Sequence, residues 1–256
     1  MCPAAIRCRQ GQVHMLFNVS GVEAQHRPLI QNGNLGDAYR VGTMGCVRLI
    51  EEVVRGGSWN DERATFVVID LGVRIINNCG AAGQLALSGF WSAAGHQVRD
   101  MVECHQLIEY FRYQPSEAQR WFDCEGMERY QQFGFGRVFR ELEKLRGKAP
   151  FDLKQSFDFY SNAGSHPSRV GLAWQMTELG DKIIGPVPHT DRFRLFTGDL
   201  WAHATRATLD FVDTVDALNP DRAPIRDQFR FRHAVVAGGR KLLGRISADE
   251  ALACWK

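Results

Sequence analysis

Between Glu62 and Tyr113 the chain carries two successive apolar runs at helical spacing, separated by a single break, and this pattern restricts the fold more than any other feature. In the first run Phe66, Ile69, Val73 and Ile76 share one helical face, with Ser58 and Asp61 ahead of them as candidate N-caps. The stretch TFVVID taken alone could equally form a buried strand, but the longer periodicity predicts a helix. Ser88-Gly89 interrupts it. Residues 90 to 113 then place Val98, Met101, Val102, His105 and Ile108 on one stripe before Pro115 imposes a boundary. The pair is expected to fold back as a helical hairpin.

The flanking sequence extends the same theme. From Asp37, residues Met44, Val47, Ile50 and Val54 recur at helical spacing until Gly56-Gly57 supplies a stop. Further helices are predicted over about 116–123, over about 127–146 with Phe135, Val138, Phe139, Leu142 and Leu145 inward, and over about 152–162. Beyond a loop at Gly164-Ser165-His166-Pro167 comes a segment near Leu172 to Met176. Thr190 can then cap a helix bearing Phe196, Leu200, Ala204, Ala207, Phe211 and Val215, which Asn219-Pro220 terminates. A last pair of helices is expected from about Pro224 to Leu243 and after the capping box Ser247-Ala248-Asp249-Glu250.

These elements predict an all-α protein: a helical bundle over 36–184, preceded by an irregular segment over 1–35 with one short strand near Val13 to Val19. Gly185-Pro186-Val187-Pro188 is the clearest linker, so 189–256 is expected to form a C-terminal helical sub-domain packed on the bundle. A chain of 256 residues can bury about 70–75% of its unfolded surface without covalent staples. Seven cysteines, odd in number and never spaced C-x-x-C, fit free thiols in a reducing compartment. The opening residues hold no signal-like apolar run, and Asp70 and Arg74 interrupt the greasiest later stretch. The expectation is a soluble, cytoplasmic protein with no membrane span.

Several chemistries lack their minimum motif. Gly134-Phe135-Gly136 continues to Phe139 where a dinucleotide fingerprint needs its third glycine, and Gly238-Gly239-Arg240-Lys241 lacks the strand and the Lys-Ser/Thr of a P-loop. No H-E-x-x-H, G-x-S-x-G or paired C-x-x-C occurs. Cys2, Cys8 and His14 form the only compact group of soft ligands, without a fourth partner. Neither a cofactor nor a metal is implied.

His96, Arg99, Glu103 and Tyr110 fall along one face of the second hairpin helix, and Arg99 and Glu103 can pair at i, i+4. As a surface pair this would be a solvated helix side and nothing more. The surrounding order of features adds to it. A leucine-rich helix ends near Gly89, R-x-x-x-E follows as Arg99 and Glu103, then the pair Tyr110-Phe111. Tyr160-Ser161-Asn162-Ala163-Gly164-Ser165-His166-Pro167 lies further on. In this order and spacing, about residues 84–180 resemble a poorly characterised bacterial branch of the HEPN-like helical bundle superfamily. The resemblance implies a helical protein acting on or near RNA in a regulatory or defence setting, with metal-independent RNA cleavage in the nucleolytic members, often across a homodimer interface. Those members carry R-x(4 to 6)-H, in which arginine steadies the phosphate and histidine manages protons at the 2′-hydroxyl.

Arg99 and His105 satisfy that formula, but with 25 arginines and 8 histidines roughly two accidental matches are expected. Four occur: Arg7 and Arg9 with His14, Arg99 with His105, and Arg226 with His233. On a straight helix Arg99 and His105 are about 240° apart, and His105 sits on the apolar stripe, as a packed core histidine would. His166, in a loop before Pro167, can turn back toward Arg99 and Glu103. The candidate catalytic set is therefore Arg99 as phosphate clamp, His166 or His105 as general acid/base, and Glu103 as the group orienting one of them. A second candidate surface is the stripe Arg222, Arg226, Arg230 and Arg240, which falls within an arc of roughly 80° and could follow a nucleic-acid backbone. The rival expectation is a non-catalytic interaction module or homodimeric scaffold in which Arg99 and Glu103 are a structural ion pair.

Overall fold

The computed structural model describes residues 18–31, 33–55, 62–147, 151–183 and 185–221. Within them the chain is all-α: α1 (Val19–Gln31), α2 (Gly33–Arg55), α3 (Arg63–Leu87), α4 (Trp91–Tyr113), α5 (Pro115–Asp123), α6 (Gly126–Phe133), α7 (Phe135–Arg146), α8 (Phe151–Tyr160), α9 (Arg169–Ala173) and α10 (Thr190–Leu218). A π-helical turn, Ser161–Ser165, extends α8. No strand occurs among the described residues, which hold only an isolated bridge between Met176 and Lys182.

The predicted hairpin is the centre of this bundle. Gly89, at φ 81°, turns α3 into α4, and the two helices pack along their length with α10 laid across both and α2 against α10. The buried face of α3 is Val68, Leu71, Gly72, Ile75, Cys79, Ala82 and Ala86, whose small members let neighbouring helices approach closely. A Cβ on Gly72 would run into the Phe211 ring of α10. The face expected from the sequence is displaced from this one: Phe66 is 41% and Val73 40% exposed, while Ile69 is buried. Arg63, Asp70, Arg74, Asn77 and Gln84 share one polar arc of α3, and Phe66 and Val73 border that arc, so the buried face turns away from them. Among the described residues α3 alone is long and apolar enough to cross a membrane, and 44% of that apolar window is buried within the bundle.

Three other expectations change. Residues 19–31, expected to be irregular, form α1, and α2 begins at Gly33. The helix expected over 127–146 divides at Gly134, whose extended backbone ends α6 and starts α7. On a continuous helix Phe133 and Phe135 would point about 160° apart. The break lets Phe133 enter the main core while Phe135 packs with Val102, Leu153 and Phe157. Third, the linker at Gly185–Pro188 does not divide the core. Val187 N–H donates to the Gly89 carbonyl (3.0 Å), Trp91 Nε1 donates to the Val187 carbonyl (2.9 Å), and the buried face of α10 shares one apolar cluster with α2, α3 and α4. The N-cap of α10 is His189, whose Nδ1 accepts from Arg192 N–H at 3.2 Å, rather than Thr190. The short strand placed near Val13, the helix after Pro224 and the capping box at Ser247 lie outside the described residues, apart from Asn18 and Val19.

His26 fastens α1 to this centre. Its ring is fully buried, stacked on Phe193 at 4.6 Å. Nδ1 lies 2.9 Å from the Leu87 carbonyl, and Nε2 accepts from His189 N–H at 3.2 Å. An acceptor Nε2 and a donor Nδ1 define a neutral imidazole. A second ring proton would face the His189 amide. Burial accordingly holds the His26 pKa below its ordinary value, as it does that of His189, where the nearby Arg192 acts in the same sense. Folding thus binds fewer protons than the unfolded chain, so the stabilisation is complete above about pH 6.5 and is lost as pH falls below it. Urea titrations at pH 8, 6.5 and 5.5 should show stability falling on the acid side by up to about 1.4 kcal/mol per pH unit for each proton taken up. His26→Phe should flatten that decline while lowering stability at pH 8 by about 1–3 kcal/mol, since two backbone groups lose their partner.

Candidate functional site

The site starts from a close approach of backbone. The π-helical turn after α8 lies on α4 so tightly that a Cβ on Gly164 would come within 2.7 Å of His96 N and of the Ser92 carbonyl oxygen. Only glycine fits there. The turn closes with His166 N–H donating to the Ser161 carbonyl (3.0 Å), and His96 Nδ1 lies 3.0 Å from Ser165 Oγ.

This seating brings Ser161 under Arg99. The arginine donates from Nε to Ser161 Oγ (3.1 Å) and from Nη2 to Glu103 Oε1 (3.0 Å), and its guanidinium lies 4.9 Å over the Phe157 ring. Packing and two hydrogen bonds hold the fork in one orientation. Burial pushes the Glu103 carboxyl above the usual range, and Arg99 opposes that shift. The pair is partly exposed, at 25% and 32% of the side-chain surfaces.

Arg99 and Glu103 line a cleft of about 1160 Å³ between α4, the α6–α7 break and α8, and Ser161, Asn162 and His166 line it too. Four more arginines border it: Arg74, Arg129, Arg137 and Arg140. Its acids are Asp100, Glu103 and Asp158. Each has a cationic partner. Arg74 donates twice to Asp100 (2.7 and 2.9 Å), Arg99 holds Glu103, and Lys154 pairs with Asp158. Arg129 donates to the Cys124 carbonyl (2.8 Å) and stacks on Trp121, whereas Arg137 and Arg140 on α7 are exposed and form no salt bridge among the described residues. The cleft wall is therefore electropositive, interleaved with Tyr130, Phe135 and Phe157.

His105 faces elsewhere. It is 2% exposed, and its Nε2 lies 2.6 Å from Asp210 Oδ2 of α10. Burial opposes the charge on Asp210, yet the His105 hydrogen bond, with Arg206 and Arg146 nearby, brings its carboxyl below the ordinary value. Of the candidate catalytic set, Arg99, Glu103 and His166 meet in one cleft, and His105 belongs to the packing of α4 on α10. Arg222, Arg226, Arg230 and Arg240 lie outside the described residues, as do Cys2, Cys8 and His14. Sequence reasoning missed Arg74, Arg129, Arg137 and Arg140. The spacing of Arg137 and Arg140 on one helix was the available signal, but nothing in it tells which groove that helix borders. Cys104, also in the cleft wall, is a buried thiol pushed up to about 12, chiefly by burial. It is a poor nucleophile. Comparison with protein-family models, with curated proteins and with solved structures returns no match.

The two histidines should separate in a stability measurement. His105→Ala leaves Asp210 without its partner and opens a void, so it should lower unfolding stability by about 2–3 kcal/mol. His166→Ala, at an exposed position, should change it by less than about 0.5 kcal/mol. Urea denaturation of both variants at pH 7.5 makes the comparison.

Proposed function

We propose that this protein is a HEPN-like helical bundle that binds RNA in the electropositive cleft and cleaves it without a metal ion, in a cytoplasmic regulatory or defence role. The observation that carries the reading is that Arg99, Glu103 and His166, separate in sequence, line one cleft whose acids are all paired while Arg137 and Arg140 form no salt bridge among the described residues. Arginines along a groove neutralise successive phosphates, and aromatic faces between them accept bases.

In the cleavage step the 2′-oxygen attacks the adjacent phosphorus and the bond from phosphorus to the 5′-oxygen breaks, leaving a 2′,3′-cyclic phosphate and a 5′-hydroxyl. His166 takes the 2′-hydroxyl proton, and the departing 5′-oxygen takes one back from the same imidazolium or from water. Arg99, held over the Phe157 ring, stabilises the charge that accumulates on the phosphate oxygens. Glu103 fixes the arginine. A second reading, a non-catalytic interaction module, is favoured by one observation: Arg99 already spends its Nε and Nη2 donors on Ser161 and Glu103.

Incubating purified wild type and an Arg99→Ala/His166→Ala double mutant with total RNA decides between them. The enzyme reading expects fragments ending in cyclic phosphate from the wild type alone, and fragments unchanged by the mutations would remove the catalytic assignment. Binding is tested separately. Affinity for an oligoribonucleotide should fall steeply with salt, and Arg129→Ala/Arg137→Ala should make the log–log slope shallower by about 1.4, or 0.7 for each phosphate no longer neutralised. A slope that does not move would remove the cleft from the binding surface.

A further inference from the structure

A second hollow, of about 1040 Å³, borders the end of α8. Phe157, Asp158 and Ser161 line the cleft, Phe159 and Tyr160 line the hollow, and the two linings share no residue. One face of α10 is its floor, where Leu195, Gly198, Asp199, Ala202 and Leu209 follow one another at helical spacing. The floor is open: Leu195 is 77% exposed, and a Cβ on Gly198 would meet nothing within 4 Å. Phe159 and Trp174 form a wall, with ring centroids 5.9 Å apart and planes at 65°, and Phe159 is 45% exposed. Apolar surface left uncovered in a concavity of this size is the setting of small-molecule sites.

The charges around the hollow select the class of ligand. Asp199 stands in the middle of the floor. Tyr160 donates its hydroxyl to Asp199 Oδ2, His203 Nε2 lies 3.7 Å from Oδ1, and 48% of the aspartate side chain is exposed. No lysine or arginine pairs with it among the described residues. The arginines of the lining are engaged elsewhere. Arg192 donates to the carbonyls of Ala173, Trp174 and Met176 (3.2, 3.0 and 3.4 Å), Arg194 pairs with Asp191 at 3.6 Å, and Arg206 stands near Asp210. Tyr160 also joins the carboxylate to the aromatic wall, since its ring meets Phe159 at 5.1 Å and Trp174 at 6.4 Å. A carboxylate and the faces of aromatic rings both attract a cation and disfavour an anion.

We propose that this hollow binds a small organic ammonium ion, its nitrogen beside the Asp199 carboxylate and the Phe159–Trp174 wall and its apolar body along Leu195, Ala202 and Leu209. The Tyr160 hydroxyl holds one carboxylate oxygen in place and leaves the acid half open to the ligand. Because the two linings are separate, this site is independent of RNA binding in the cleft.

The test titrates the full chain, by ligand-observed NMR, with three probes that share one skeleton: 4-phenylbutylamine, 4-phenylbutanol and 4-phenylbutyrate. The amine is expected to bind about tenfold more tightly than the alcohol, and the carboxylate more weakly than either. Asp199→Asn should erase the preference for the amine and leave the alcohol unchanged, since an asparagine oxygen still accepts from the Tyr160 hydroxyl. Phe159→Leu keeps the apolar bulk and should weaken the amine alone, by about threefold. Gly198→Leu fills the hollow and should abolish binding of all three probes. That variant guards against misfolding, because replacing glycine within a helix where the side chain has room should leave the melting temperature unchanged or raised. This pattern supports the site whatever RNA does. An amine that does not bind the wild type, binds no better than the carboxylate, or is untouched by Asp199→Asn and Gly198→Leu overturns it. A dimer in sedimentation that Gly198→Leu dissolves gives the hollow to a second copy of the chain and overturns it too.

Discussion

The fold depends on the burial of α4. Helices α3 and α10 cover it on one side, α7, α8 and the π-helical turn on others, and from Cys104 to Phe111 every residue is buried. A helix enclosed in this way leaves its polar side chains little water to fall back on, and most of them find a partner on the element that covers them. Asp100 meets Arg74 and Asn78 of α3, His105 meets Asp210 of α10, and Glu109 meets Arg146 at the end of α7. Arg99 meets Ser161 of the π-helical turn. These pairs tie the surrounding helices to the central one in a definite register.

The candidate site is a consequence of the same constraint. Arg99 and Glu103 lie at the edge of this enclosure, where the α6–α7 break draws the cover back and leaves a cleft. Their pairing is structural in origin and still partly open to solvent, which is the condition under which a fixed guanidinium can also serve a ligand. Gln106, one turn further in, is the polar residue of the enclosed stretch whose donor finds nothing.

Much of the architecture was legible because it rests on local rules. The α3–α4 hairpin, the Ser88-Gly89 turn, α5 beginning at Pro115 and the buried residues of α10 all follow from spacing and from the backbone limits of glycine and proline. Errors arose where two local rules compete. On α3 the stripe Phe66, Ile69, Val73 and Ile76 follows helical spacing, yet it borders the polar arc of Arg63, Asp70, Arg74, Asn77 and Gln84, so Phe66 and Val73 lie outward. The Phe133-Gly134-Phe135 triplet continues a helical pattern, yet the two rings pack into different clusters and the helix breaks between them. Pro-Val-Pro beside Gly185 has the composition of a linker, but Val187 is drawn into the core by hydrogen bonds to Gly89 and Trp91 that no local pattern encodes.

By itself the sequence determined helix type, most helix limits and the pairing of Arg99 with Glu103, because each depends on residues within one or two turns of one another. Tertiary structure alone decided that His166 shares a cleft with Arg99 while His105 does not, and that arginines from α3, α6 and α7 border that cleft. Those outcomes depend on which helices cover α4 and where the cover parts. That is settled by contacts between residues tens of positions apart, such as Gly164 against the backbone of Ser92 and His96.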